Sequence, residues 1–297
     1  MIWSKGSPVQ AMFQYGGKVR SQWRSVTDPQ KCLNKAIRHL HSFSRLLNIP
    51  TAALPVGPSI QKEFSETIAS SYFSQTPMII RNYPVPTERW SDRAYLLDRV
   101  GSDLHCDVEM GHYNQAEKLN ITFGMYLQYL QQCSESHGDT SNIPVDQLLY
   151  LAQNDLPQGL IPDISVPDLC KDSKIGLGEG HLYQTMLWMG PKGSISPLHF
   201  DPLHNFLIQV CGRKRVMLID RNQSVETLYS GKMFGQQSNT SAVDLENPDY
   251  KQYPLFTEVS PVYKGEIGPG DVLFIPSKWW HHVRSLDFSI SVNAWWR

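Results

Sequence analysis

Residues 187–216 read LWMGPKGSISPLHFDPLHNFLIQVCGRKRV and hold the strongest pattern in the chain. Side chains two positions apart on a strand point to the same face, so His199 and Asp201 would lie side by side. Asn205 and Gln209 share that parity. The opposite face takes the apolar side chains Phe200, Phe206, Ile208 and Val210. The stretch therefore predicts strands with one polar wall and an apolar back.

The polar wall needs a partner, because a buried polar group without one is costly. A divalent metal ion would satisfy the imidazole of His199 and the carboxylate of Asp201 together. These are two of the three ligands in the 2-His-1-carboxylate arrangement of non-heme Fe(II) sites. An H-x-D pair alone is more often explained by a hydrogen-bonded histidine without a metal. The metal hypothesis therefore requires a third ligand.

We expect the third ligand in the sequence KWWHH at 278–282, between the last two predicted strands. A closed antiparallel barrel would bring this sequence to His199, with the ligands pointing into its mouth. Spacing leaves His281 and His282 both open as the ligand, because neighbouring residues on a strand face opposite ways. The strand that follows alternates the polar residues Ser289, Ser291 and Asn293 with apolar ones, which predicts a pocket wall.

Lys214 lies in a largely apolar strand, between Arg213 and Arg215. If Lys214 points inward with Val216 and Leu218, its ammonium group needs an anion to stay charged. A carboxylate ligand bound beside the metal would supply that anion. The alternative is that the three cationic residues form a solvated strand edge.

The composition is that of a globular protein. With 297 residues, 41% hydrophobic and 19% charged, the chain suffices for one large domain or two small ones. A formal net charge of −1 argues against a general polyanion binder, and no strong nucleic-acid signal is present. No apolar run is long enough to span a bilayer, so we expect no membrane partner.

The five cysteines contain no C-x-x-C pair, which speaks against a zinc ribbon or a disulfide framework and favours a reducing compartment. We therefore expect a location in the cytoplasm, the nucleus or both. Mitochondrial import is the weaker alternative, because the chain carries basic residues and no acidic residue before Asp28.

Sequence patterns divide the chain at residue 76. Residues 1–76 are predicted to form an N-terminal helical and linker segment that packs on the core, and residues 77–297 the main domain. Helices are predicted from Asp28 and over 60–72, 90–100 and 120–132, a linker over 50–58, and strands over 77–83, 104–109 and 147–153. Mostly strand is expected after His181. The long polar segment 221–261 is predicted to lie over the site and help select the substrate.

Three sequence words carry a resemblance to a known family: GSISPLHFDPLHNF at 193–206, GRK at 212–214 and GDVLFIPSKWWH at 270–281, followed by the terminal SVNAWW. Together they resemble the JmjC-domain Fe(II)/2-oxoglutarate oxygenases of the small, single-domain hydroxylase type. The words VDLENPD at 243–249 and VEMG at 108–111 resemble the arginyl hydroxylases of this family.

The resemblance implies a fold and a set of site residues. The implied fold is mainly β with flanking helices, a double-stranded β-helix of the jelly-roll, cupin-like type. By motif, the Fe(II) ligands and catalytic centre are His199, Asp201 and His281. The residues implied to bind 2-oxoglutarate are Lys214 and Tyr150 at its distal carboxylate, Ser196 and Asn205 as further contacts, and Trp188 and Asn293 as pocket walls. Glu109 matches the acidic residue directed at a substrate guanidinium.

The implied activity is hydroxylation of a protein side chain, with 2-oxoglutarate and O2 as co-substrates. The protein substrate is unidentified, and its target residue is expected to be Arg or Lys. Lys stays open beside Arg because the aromatic residue expected after Glu109 is not evident in 112–117. The alternatives are a histone lysine demethylase of the same chemistry, a tRNA-base hydroxylase and a non-catalytic cupin-like metal-binding module. The demethylase is disfavoured by the lack of a zinc module, a basic tail and a reader domain. The oligomeric state stays open.

Overall fold

Strands dominate the part of the chain that the computed structural model describes, which is residues 46–53, 60–110, 117–135, 148–231 and 238–297. The compact unit they form runs from Leu46 to Arg297. Its strands are β1 Leu46–Asn48, β2 Thr51–Ala53, β3 Met78–Arg81, β4 His105–Met110, β5 Glu117–Thr122, β6 Leu149–Asp155, β7 Leu182–Gly190, β8 Ile195–Phe200, β9 His204–Cys211, β10 Lys214–Ile219, β11 Val262–Ile267, β12 Val272–Ile275, β13 Trp280–Ser285 and β14 Ser289–Trp296.

The helices are fewer. The α-helices are α1 Ile60–Ser74, α2 Thr87–Ser91, α3 Arg93–Val100 and α4 Phe123–Glu135. Short 3-10 turns occupy Ile161–Asp163, Asp168–Cys170, Ser173–Ile175 and Pro254–Glu258. Among the described helices, none combines the length and the apolar character that crossing a bilayer requires. The helix predicted from Asp28 lies outside the described residues.

The strands form two sheets. The small sheet has the order β1-β11-β10-β13-β8, and the large sheet the order β2-β3-β12-β9-β14-β7-β6-β4-β5. In the second half of the chain, β8, β10, β11 and β13 belong to the small sheet and β9, β12 and β14 to the large sheet. The chain therefore passes repeatedly from one sheet to the other, and distant parts of it become neighbours. This is the predicted double-stranded β-helix, and the mainly β fold class is confirmed.

Apolar side chains from both sheets meet between them. Leu207 and Leu273 of the large sheet share one buried cluster with Val216, Leu218 and Val283 of the small sheet. Each of these alternates with a residue that faces outward, as expected for strands buried on one face by a partner sheet. The inter-sheet space therefore holds a packed apolar core.

The outer face of the large sheet is covered by the helices. Phe64 and Ile68 of α1 and Tyr126 of α4 are fully buried there, in one cluster with Phe206 and Trp296 of the sheet. The helical spacing predicted over 60–72 is confirmed, and α1 continues to Ser74. This helical layer covers the apolar side chains of β9, which lie on the face opposite to the polar wall predicted from the sequence.

Three local predictions differ from the structure. The helix predicted over 90–100 is broken at Asp92, whose extended backbone (φ −86°, ψ 114°) lets its carboxylate accept a bond from the N–H of Ala94 at 2.9 Å. The helix predicted from Asn120 begins at Phe123, because Asn120 pairs with Asp107 across β4 and β5. Residues 51–53 of the predicted linker form β2, which pairs with β3 across the predicted boundary at residue 76.

The described residues of the segment 221–261, which are 221–231 and 238–261, cover the outer face of the small sheet, not the space between the sheets. Its apolar residues Leu228, Val243, Leu245 and Phe256 are buried against Leu198, Ile219 and Trp280. The sequence pattern missed this because the apolar residues are scattered through a polar stretch. Near the predicted ligands, Thr240 of this segment pairs with His199 at the edge of β8.

Candidate active site

Antiparallel pairing of β8 and β13 joins the predicted metal ligands. His281 lies directly opposite His199 in the register of these strands. Nε2 of His281 is 3.6 Å from Oδ2 of Asp201, and Nε2 of His199 is 3.9 Å from Oδ1. The three side chains offer ligand atoms that all lie within 4.8 Å of one another. His281 belongs to β13 itself, not to the turn that the sequence pattern predicted.

The choice between the two neighbouring histidines follows from the alternation of β13. His281 points between the sheets, whereas His282 points to the outer face, where it is buried beneath the segment 221–261. There the carboxylates of Glu246 and Asp244 counteract the lowering of the pKa of His282 by burial. The structure therefore brings His281, and not His282, to His199.

Both histidines are oriented by main-chain carbonyls. Nδ1 of His199 lies 2.7 Å from the carbonyl oxygen of Pro197, and Nδ1 of His281 lies 3.0 Å from that of Trp279. A carbonyl only accepts, so each Nδ1 carries the proton and each Nε2 carries the lone pair, as a metal ligand requires. Burial lowers the pKa of His281 to about 4, which keeps the imidazole neutral at physiological pH.

Asp201 is held as a carboxylate. Burial alone would raise its pKa, but electrostatic interactions with His281 and His199 and hydrogen bonds from Trp295 and Asn205 lower it overall. Two neutral nitrogens and one anionic oxygen, converging on one position, are a donor set that fits Fe(II) and leaves coordination positions open. The residues present therefore fit the predicted metal.

A cavity opens beside the three ligands, between the two sheets. Every residue predicted to bind metal or 2-oxoglutarate lines it: Tyr150, Trp188, Ser196, His199, Asp201, Asn205, Lys214, His281 and Asn293. Leu207, Ile275 and Val283 supply apolar walls, and Trp295 completes the lining. Both sheets contribute, so the cavity exists only when they are packed together.

Lys214 lies in this cavity with its side chain fully buried. Its ammonium group donates to the hydroxyls of Ser291 at 2.6 Å and Tyr150 at 3.3 Å. Burial lowers the pKa of Lys214 to about 7, and no acidic residue in the described chain forms a salt bridge with it. Lys214 therefore does not lie on a solvated strand edge, which was the alternative that the sequence left open. Its charge calls for an anionic ligand in the cavity.

The turn before Lys214 sets this inward direction. Gly212 has φ +68°, and a Cβ there would lie 1.8 Å from the carbonyl oxygen of Phe288. Glycine therefore permits the tight β9–β10 connection. Arg213, on the opposite parity, turns outward and pairs with Asp287 at 3.1 Å.

Comparison with known proteins gives the family. A family model described as a cupin-like domain matches residues 63–297. JmjC domain-containing protein D of Dictyostelium discoideum is 36% identical over 233 residues, which are 72% of this chain and 49% of that protein. The chain belongs to the cupin-like JmjC-domain family.

Further JmjC relatives show similar overlaps. Lysine-specific demethylase JMJ30 of Arabidopsis thaliana is 34% identical over 236 residues, which are 76% of this chain and 51% of that protein. Jumonji C domain-containing protein 5 of Drosophila melanogaster is 32% identical over 220 residues, which are 73% of this chain and 52% of that protein. The chain thus spans about half the length of the curated relatives it matches.

Glu109, the residue predicted to meet substrate in this JmjC domain, lies outside the cavity lining. It pairs with Tyr150 in the register of β4 and β6, so the two side chains share the inner face of the large sheet. Burial raises the pKa of Glu109, and the charge of Lys118 counteracts this. Glu109 is therefore a partly buried carboxylate next to the cavity, on the strand beside Tyr150.

Trp295 was not among the predicted site residues of the JmjC domain, and Ser291 was predicted only as part of a polar pocket wall. Trp295 donates its indole N–H to Oδ2 of Asp201 at 2.9 Å, and Ser291 accepts from Lys214. On β14 both residues lie an even number of positions from Asn293, so all three side chains face the same side of the strand. This alternation was the only indication that the sequence offered. The sequence did not reveal how β14 pairs with β9. Only that register places Trp295 beside Asn205 and hence beside Asp201.

Proposed function

We propose that this chain is an Fe(II)- and 2-oxoglutarate-dependent dioxygenase that hydroxylates a side chain of a protein substrate, with Arg or Lys as the target residue. The observation that carries the proposal is the fully buried Lys214 in the same cavity as His199, Asp201 and His281. A metal site alone would serve many proteins. A buried cation without an acidic partner in the described chain supports an anionic co-substrate beside that metal.

In the proposed mechanism, His199, Asp201 and His281 would hold Fe(II). The bound iron, 2-oxoglutarate and O2 together supply the oxidising chemistry. Lys214 and Tyr150 would bind the distal carboxylate through the ammonium and phenol groups that already face each other at 3.3 Å. Burial raises the pKa of Tyr150, so its hydroxyl stays protonated and can donate to that carboxylate.

Polar and apolar walls would orient the co-substrate. Asn293 donates to Oδ1 of Asn205 at 2.7 Å, which turns the amide N–H of Asn205 toward Asp201. The indole N–H of Trp188 is buried and has no partner in the described chain, so it is a donor left for a ligand. The apolar walls at Leu207, Ile275 and Val283 exclude water, which strengthens each of these polar interactions.

Glu109 would bind the cationic group of the target side chain. A partly buried carboxylate beside the cavity suits either a guanidinium or an ammonium group. The name of the Arabidopsis relative, a lysine-specific demethylase, supports the runner-up reaction, in which oxidation of a methyl group on lysine leads to its loss. The two reactions share every cavity residue and differ in the product.

A product assay tests the proposed function. The chain is incubated with Fe(II), 2-oxoglutarate, O2 and Arg- and Lys-containing peptides, and succinate and peptide mass are measured. We expect succinate formation and a peptide that has gained one oxygen atom; loss of a methyl group from methylated peptides would support the demethylase instead. His199→Ala should abolish succinate formation, whereas a folded His282→Ala control should retain it. Turnover that survives in His199→Ala would contradict the site.

The remaining alternatives have their own outcomes. Oxidation of a tRNA base instead of a peptide would support a tRNA-base hydroxylase. Metal binding without any 2-oxoglutarate turnover would support a cupin-like binding module. The protein partner is to be sought by capture with the metal-inhibited protein and a 2-oxoglutarate analogue, followed by mass spectrometry.

We also propose a cytoplasmic or nuclear location. The described cysteines Cys106, Cys133, Cys170 and Cys211 are free and buried, which supports a reducing compartment. Microscopy of the tagged full chain tests this, and a mitochondrial signal would support the import alternative.

A further inference from the structure

The turn between β12 and β13 is joined to the turn between β8 and β9 by three hydrogen bonds. The backbone N–H of Lys278 donates to the carbonyl oxygen of Asp201 at 2.8 Å. The hydroxyl of Ser277 donates to the carbonyl oxygen of Pro202 at 2.9 Å, and the backbone N–H of Ser277 donates to Nδ1 of His204 at 3.1 Å. Two turns that are far apart in sequence are therefore held together by a defined set of contacts.

Each of these turns carries part of the proposed metal site. The β8–β9 turn contains Asp201 itself. The β12–β13 turn ends at Trp279, whose carbonyl oxygen lies 3.0 Å from Nδ1 of His281 and so fixes the direction of that imidazole. Nε2 of His281 lies 3.6 Å from Oδ2 of Asp201. The bonds between the turns therefore connect the group that orients one ligand to the backbone of another ligand.

The β12–β13 turn has an unusual backbone conformation at Lys278. Its φ of +66° lies in the left-handed region, which residues other than glycine rarely adopt. Such a conformation persists where the surrounding contacts impose it. From this conformation the N–H of Lys278 reaches the carbonyl oxygen of Asp201. The contacts with the neighbouring turn therefore maintain a shape that the backbone of this residue does not itself favour.

His204 contributes to the contact through both its nitrogen and its ring. Its Nδ1 accepts an N–H, so it is the unprotonated nitrogen of the imidazole. Burial and the charge of Arg221 lower the pKa of His204 to about 4, which keeps the ring neutral. The ring also packs against Trp296 and Tyr72, whose ring centroids are 5.1 and 5.4 Å away. The acceptor and the aromatic surface are separate properties that different substitutions can remove.

We propose that His204 and Ser277 are positioning residues of the metal site. By holding the two turns together, they set the separation of Asp201 and His281 at which both side chains can bind one ion. Neither His204 nor Ser277 lines the cavity, so both act through the ligands. This inference rests on the metal site of the proposed function.

Two substitutions of His204 separate the acceptor from the ring. His204→Phe keeps an aromatic ring and loses the acceptor, whereas His204→Asn loses the ring and keeps an acceptor oxygen near the position of Nδ1. Calorimetry of the full chain with Mn²⁺, without 2-oxoglutarate, peptide or O2, measures metal affinity. Chemical denaturation without metal measures stability.

The two variants should rank in opposite orders in the two measurements. We expect the Mn²⁺ affinity of His204→Phe to fall about 10-fold or more, the loss typical of groups that orient metal ligands. The affinity of His204→Asn should stay near that of wild type. Stability should be lower in His204→Asn than in His204→Phe, because only the asparagine variant loses the aromatic contacts.

Ser277→Ala tests the same contact without altering the ring, and it also serves if His204→Phe fails to fold. It removes the hydrogen bond to Pro202 and should lower the Mn²⁺ affinity about 3-fold, the effect of one neutral hydrogen bond. Ser65→Ala is the matched control. The hydroxyl of Ser65 in α1 donates to the carbonyl oxygen of Gln61 at 2.9 Å, and both serines are half-buried. We expect unchanged Mn²⁺ affinity in Ser65→Ala.

Three outcomes overturn the positioning role alone. The first is wild-type Mn²⁺ affinity in both His204→Phe and Ser277→Ala. The second is an affinity that follows stability, with His204→Asn the weaker binder, because the ring and not the acceptor would then matter. The third is an equal loss in Ser65→Ala and Ser277→Ala. If wild type itself fails to bind Mn²⁺, the metal site of the proposed function fails, and the positioning role fails with it.

Discussion

Lys214 is the residue at which folding and the proposed function conflict. A buried ammonium group with hydroxyl partners alone lacks full compensation for its lost hydration. The lowering of its pKa to about 7 reflects the unfavourable burial of the charged form. An anionic ligand would restore the charged form, so the unliganded protein carries a destabilising group that binding puts to use.

Lys214→Met should separate these effects. Without ligand, we expect the variant to be at least as stable as wild type, because an apolar side chain of similar length replaces a poorly compensated charge. With Mn²⁺ present, its affinity for 2-oxoglutarate should fall about 30-fold or more, corresponding to about 2 kcal/mol. Chemical denaturation and anaerobic calorimetry measure the two quantities. A variant with wild-type affinity for 2-oxoglutarate would contradict the proposed role of Lys214.

The difference in the free energy of unfolding between Lys214→Met and wild type should also depend on pH. Lys214 titrates near 7 in the folded, unliganded chain and near its ordinary value of 10.5 when unfolded. The unfolded state therefore binds more protons between these values, so wild-type stability rises with pH in this window and the advantage of Lys214→Met shrinks. Below about pH 7 the advantage is constant.

At the scale of elements, Asp92 separates two helices that the apolar pattern joined. Its carboxylate caps α3 through the N–H of Ala94, while its backbone N–H bonds to Arg89 at the end of α2. The local residue type, an N-cap Asp, marks a helix start, but a break inside a continuous apolar pattern depends on how both helices pack on the sheet.

Asp92→Ala should lower the free energy of unfolding by about 1 kcal/mol, the usual cost of losing an N-cap. For a chain of this size the melting temperature should fall by about 2–4 °C. Asp98→Ala, on the exposed face of the same helix and without a cap bond, is the matched control and should change little. Equal melting temperatures for Asp92→Ala and wild type would show that the cap contributes nothing.

At the scale of the whole molecule, residues of both sheets line the cavity. His199, Lys214 and His281 belong to strands of the small sheet or its edge, whereas Tyr150, Asn205 and Asn293 belong to the large sheet. A metal with a bound dicarboxylate would therefore link the sheets, and binding energy would appear as stability of the entire unit.

We expect Mn²⁺ and 2-oxoglutarate together to raise the melting temperature more than either alone under anaerobic conditions. At a ligand concentration of about 100 times Kd, each binding step adds about 2.7 kcal/mol. Chelation of the metal should reverse the gain. Lys214→Met should keep the metal-dependent part and lose the part that requires 2-oxoglutarate. Equal shifts with and without 2-oxoglutarate in wild type would contradict the proposed co-substrate site.

The sequence by itself determined those features that depend on residues close together in the chain. Strand periodicity put His199 and Asp201 on one face, helical spacing predicted α1, and the joined motifs predicted the JmjC fold and the residues that line the cavity. Only the tertiary structure decided between His281 and His282, turned Lys214 inward, laid the described residues of 221–261 on the outer face, and brought Trp295 to Asp201. Each of these depends on the register between strands far apart in sequence. That register comes from the packing of both sheets, so spacing within one segment does not reveal it.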